Sequence, residues 1–113
     1  MEKYKSKNPF VLFMHGKSYY NLSKDNINIA RHDYLVADHN LKKIDKTNAL
    51  VMRLKVNYTF GIMEYESGSD LKRALHHFFE FLKIVDLFTS KREIWKNLPE
   101  FNDMEENCKN YIE

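Results

Sequence analysis

The segment 69–88, SDLKRALHHFFEFLKIVDLF, limits what this chain can fold into more than any other. At about 100° per residue, Leu71, Ala74, Leu75, Phe78, Phe79, Phe81, Leu82, Val85 and Phe88 fall on one arc, roughly half the circumference of a helix. Lys72, Arg73, His76, His77, Glu80 and Lys83 fall on the other side. That division predicts an amphipathic helix that covers a core and does not cross a membrane. Ser69 supplies a capping hydroxyl, and Asp70 a carboxylate beside the positive end of the helix dipole. The phenylalanine side requires a second apolar surface to meet it.

Segment 49–66 offers that surface. Leu50, Met52, Leu54, Val56, Tyr58, Phe60 and Ile62 alternate with Arg53, Lys55, Asn57 and Thr59, the period-two pattern of a half-buried strand. A straight strand of this length would reach about 60 Å, well beyond the ~13 Å gyration radius of a domain this size. It must therefore bend at Gly61 or, as second choice, turn back through 57–59 as a hairpin.

Upstream, Pro9 leads into the apolar run 10–14, read as a strand. His15-Gly16-Lys17 reads as a turn and 18–22 as the returning arm of a hairpin. Segment 27–37 reads as a further strand with a bulge near His32 and Asp33. Downstream, Ser90 and Glu93 have capping-box spacing for a short helix ended by Pro99. Phe101, Met104, Cys108 and Ile112 then recur at helical spacing.

The sequence thus predicts an α+β fold. An antiparallel sheet of three to five strands fills the N-terminal two-thirds, and C-terminal helices pack on one of its faces. Residues 1–8 read as a mobile basic arm and 9–113 as a single domain.

At 113 residues the chain can close one core without staples. Cys108 is the only cysteine, which excludes an intrachain disulfide and a multi-cysteine zinc site and points to a reducing, cytoplasmic setting. The run 10–14 is too short for a secretory signal, and no segment reads as a membrane span. The net charge of +2 hides a division. Residues 1–56 carry 11 Lys and Arg against 5 Asp and Glu, a net +6, whereas residues 57–113 carry 7 against 11, a net −4.

Catalytic signatures fail on inspection. Gly16-Lys17-Ser18 ends like a phosphate-binding loop, but that loop needs a glycine five residues before its final one, and Val11 stands there. His76 and His77 are adjacent and point about 100° apart on a helix, which suits surface residues and not a shared metal ion. His32-Asp33 and Asp38-His39 place carboxylates beside imidazoles, but neighbours on a strand face opposite ways. Cys108 sits on the apolar phase of the last helix as a small buried hydrophobe. The reading is of no metal, no cofactor and no catalytic residue.

What remains is recognition. Trp95, Ile84 and Leu87 form a candidate apolar patch, with Glu100, Asp103, Glu105 and Glu106 as carboxylates for a basic partner. The preferred function is a small non-catalytic protein that binds and inhibits or neutralises a macromolecule, in the manner of an immunity protein, antitoxin or phage-encoded inhibitor. A protein is the expected partner, with no membrane, and a homodimer through a strand edge is the structural variant. The alternative is a binder of RNA or single-stranded nucleic acid, with or without weak metal-independent ribonuclease activity. It would use Lys3, Lys5, Lys7, Tyr19, Tyr20, Arg31, Lys42, Lys43, Arg53 and Lys55.

Overall fold

The structure is a computed structural model that describes residues 8–44, 46–68, 70–87 and 100–112. Every regular element among them is helical. The order is α1 (Pro9–Leu22), a 3-10 turn (Lys24–Asn26), α2 (Ile27–Lys42), α3 (Thr47–Ser67), α4 (Leu71–Val85) and α5 (Glu100–Ile112). With no strand among the described residues, the expected α+β fold and its antiparallel sheet are overturned. A homodimer through a strand edge falls with them, since the described residues offer no such edge to pair. The chain divides into two compact units, Met1–Val56 and Asn57–Glu113, and the boundary falls within α3.

In the first unit, the expected hairpin 10–22 is the single helix α1. Its start was legible in Asn8-Pro9: Asn8 Oδ1 accepts from the backbone N–H of Phe10 (2.9 Å) and Val11 (3.4 Å), and proline occupies the first helical position. Gly16 is no turn. It lies buried where α1 meets α2, so close that a Cβ there would stand 2.9 Å from Tyr34 Cε1 and 3.1 Å from Asp33 Cβ. The expected strand 27–37 is α2, which buries Ala30, Asp33, Tyr34, Ala37 and Leu41, residues three and four apart. Two alanines and an aspartate give that stripe little hydrophobic signal. Phe13 and Tyr34 meet with ring centroids 5.6 Å apart.

The expected bent strand 49–66 is α3. Its buried residues are Ala49, Met52, Arg53, Leu54, Val56, Asn57, Phe60, Gly61, Met63 and Glu64. Apart from Leu54, they run at helical spacing. Three are polar and one is glycine, so a search for apolar residues alone finds the alternation and misses the stripe. Gly68, at φ 69°, ends the helix in the left-handed region, and its N–H donates to Glu64 and Tyr65 carbonyls at 3.2 Å each.

In the second unit, α4 occupies the segment that periodicity marked as helical. Asp70 is its cap, with Oδ1 accepting from the Arg73 N–H at 3.1 Å, and it buries Ala74, His77, Phe78, Phe81, Ile84 and Val85. Residue 69, the expected capping serine, and the expected short helix 90–98 lie outside the described residues. The C-terminal helix is α5, with Phe101 and Cys108 buried. Aromatic rings knit this unit: Phe78 stacks on Tyr111 (4.7 Å, 4°), Tyr58 tilts against Phe81 (5.9 Å), and Asn107 Nδ2 donates to the Tyr58 hydroxyl (2.9 Å).

At Gly61 α3 and α4 approach closely, since a Cβ there would lie 2.6 Å from Phe78 Cε1. Alanine raises helix propensity by about 1 kcal/mol, but Phe78 is fully buried and its ring has no room to retreat. We expect Gly61→Ala to lower stability by about 1–3 kcal/mol, read as a lower urea midpoint with unchanged slope.

Candidate functional site

The apolar arc of α4 is wider than the surface that covers it. Ala74, His77, Phe78, Phe81, Ile84 and Val85 form the buried side. Leu71, Leu75, Phe79 and Leu82 lie beside them within about 80° of one another. Leu71 and Phe79 are each 54% exposed, and Leu75 and Leu82 are half-buried. Leu87, 60% exposed, follows just past the helix end. Lys72 and Lys83 border the stripe and are exposed, and exposed Asp86, just past the helix end, falls within its arc. The amino-acid pattern assigned Leu71 and Phe79 to the core; the signal against that was the breadth of the arc, since one neighbouring helix fills a narrower groove.

The expected partner-binding residues separate. Ile84, read as part of an exposed patch, is 1% exposed and belongs to the core, whereas Leu87 is at the surface. Trp95 lies outside the described residues. Glu100, Asp103 and Glu106 are exposed on α5, and Glu105 is half-buried with Oε2 3.7 Å from Lys109 Nζ.

Polar groups of α3 inside the core are matched one by one. Arg53 Nε donates to Asp38 Oδ1 at 2.7 Å, and Nη2 reaches Oδ2 at 3.4 Å. His77, expected at the surface, is buried: its Nδ1 donates to Asn57 Oδ1 at 3.1 Å and its ring stacks on Phe60 at 3.8 Å. Glu64, fully buried, faces Arg73 with Nη1 3.7 Å from Oε2. Asp33 pairs with His15 Nδ1 across α1 and α2, and not with its sequence neighbour His32, which is exposed. The Tyr19 ring lies 4.5 Å from that of His15. This pair fixes an imidazole between two helices and reads as a tie between them. Among the described residues, no group of three or more His, Cys, Asp and Glu could hold a metal ion.

Of the candidate nucleic-acid residues, Arg53 is inside the fold. Lys3, Lys5 and Lys7 lie outside the described residues. Arg53 is buried against Asp38, and Lys24 Nζ sits 4.4 Å above the Tyr20 ring. Arg31 Nη1 donates to Asn28 Oδ1 at 3.0 Å, and Lys42 Nζ stands 3.8 Å from Asp38 Oδ2. Tyr19 and Lys43 are exposed, and Lys55 is half-buried. No helix among the described residues is long and apolar enough to cross a membrane.

Comparison with protein-family models, with curated proteins and with solved structures finds no match to this chain.

Burial, helped by Glu105, pushes the Cys108 thiol up from 9.0 to about 12. The thiolate is the reactive form. Native protein at pH 8 should therefore resist thiol-specific reagents and react fully once unfolded. Because the folded state keeps this proton while the unfolded state releases it, stability falls as pH rises from 9 towards 12. Cys108→Ala should make that decline shallower in urea titrations across the same range.

Proposed function

We propose that this chain is a small non-catalytic binding protein that docks on a basic protein partner through its second unit and neutralises it by covering the docked surface. Immunity proteins, antitoxins and phage-encoded inhibitors act in this manner. The observation that carries the reading is the stripe in which Leu71 and Phe79 stand exposed on either side of half-buried Leu75 and Leu82 on an otherwise well-packed helix. Anchors of this type dominate interface energetics when a partner desolvates them, each contributing about 1.5–3 kcal/mol on full burial.

Charge selects the partner. Residues 57–113 carry a net −4, and exposed Glu100, Asp103 and Glu106 belong to the same unit as the stripe. An acidic surface steers a basic partner at encounter and repels an acidic one. The buried, protonated Cys108 suits a reducing cytoplasm.

The test uses the full chain and the double variant Leu71→Gln, Phe79→Gln, both sites being exposed and glutamine a good helix former. Affinity capture from the encoding organism should recover one basic polypeptide at equimolar ratio with the wild type, and the variant should bind it about a hundredfold more weakly. Equal capture by both proteins, or recovery of nucleic acid in place of a polypeptide, would overturn the reading.

A further inference from the structure

The first unit carries a second unpartnered helix face, and its chemistry differs from that of α4. On α1, Phe10, Val11, Met14 and Leu22 are 48%, 50%, 56% and 78% exposed. They fall within about 120° of arc, beside exposed Ser18 and Asn21 and away from the buried Leu12, Phe13 and Gly16. No acidic residue occurs anywhere between Glu2 and Asp25, while Lys3, Lys5, Lys7, Lys17 and Lys24 all lie in that interval. Lys17 flanks the arc about 20° from Phe10 on the helix, its ammonium 5.3 Å from the Phe13 ring centroid. Three more lysines precede the helix in sequence, next to the end where Phe10, Val11 and Met14 cluster.

We propose that α1 is an interfacial helix through which the protein binds the surface of an anionic lipid bilayer. Phe10, Val11 and Met14 enter the boundary between headgroups and acyl chains, Leu22 adds contact at the far end, and Lys17 beside this face holds a lipid phosphate. Such helices combine an apolar face with basic flanks, and their binding grows with buried apolar area and with negative surface charge. Charge complementarity decides the occupant. A second copy would bring two acid-free, lysine-bearing helices together and is disfavoured by like charge. Nucleic acid would engage the lysines, but the face offers bases a single aromatic ring, Phe10, among the aliphatic side chains of Val11, Met14 and Leu22, whereas single-strand binders stack successive bases on several rings. The segment lies on the membrane and does not span it, in keeping with its 14 residues. The sequence reading expected no membrane partner because run 10–14 is too short for a secretory signal and no segment reads as a span; neither ground bears on a helix that lies on the bilayer surface.

The probe is vesicle co-sedimentation of the full chain, with phosphatidylcholine alone and with phosphatidylcholine mixed with phosphatidylserine. The proposal expects sedimentation with the mixed vesicles, little with the neutral ones, and release as salt rises. Phe10→Gln with Met14→Gln should weaken binding about tenfold or more, as should Leu22→Gln with Val11→Gln, all four sites being exposed. Far-UV circular dichroism confirms that each variant remains helical. Lack of sedimentation with either vesicle, equal sedimentation with both, unchanged binding by both variants, or displacement by a single-stranded oligonucleotide would each overturn it. The α4 stripe is untouched by these substitutions, so capture of a protein partner stands or falls separately.

Discussion

Polar side chains on the buried side of α3 set the terms for both units. Arg53, Asn57 and Glu64 lie on the same side of that helix as Met52, Val56, Phe60 and Met63. A buried polar group left without a partner costs about 1–3 kcal/mol, and a charged one more. Each is therefore answered from another helix: Asp38 of α2 for Arg53, His77 of α4 for Asn57, Arg73 of α4 for Glu64. Hydrophobic contact alone would tolerate α3 turned by some tens of degrees. These directional pairs do not, because rotation strands a charge or an amide in the core.

Close approach comes from the small residues. Gly16 lets α1 settle against Tyr34 and Asp33, and Gly61 lets α3 settle against Phe78; Ala30 and Ala37 on α2 and Ala74 on α4 have the same effect. Large side chains such as Tyr34, Phe60, Phe78 and Phe81 fill the space between these small residues, while Phe10 and Met14 on α1 and Leu71 and Phe79 on α4 stand outside.

The charge division along the chain coincides with the division into units, at residues 56 and 57. One unit is basic with an acid-free apolar helix; the other is acidic with a leucine and phenylalanine stripe. The two partners proposed for these units, an anionic lipid surface and a basic protein, follow this difference in charge.

By itself the sequence determined the helix α4, whose four-residue spacing of phenylalanines and leucines admits no other regular structure. It likewise determined the C-terminal helix, the charge halves and the inert buried cysteine. The remaining helices were not legible. In α1 apolar residues run together at 10–14 and in α3 they alternate by coincidence, and the helical stripe of α3 is written in Arg53, Asn57, Gly61 and Glu64, residues that count as exposed or as bends until their partners are known. In α2 it is written in Ala30, Asp33 and Ala37. Only tertiary contact converts such residues into core, because a polar group becomes buriable when another chain segment satisfies it and a glycine becomes a contact when another helix fills the space it leaves. The same contacts decided that Ile84 is inside and Phe79 outside, a choice that the breadth of one apolar arc cannot make alone.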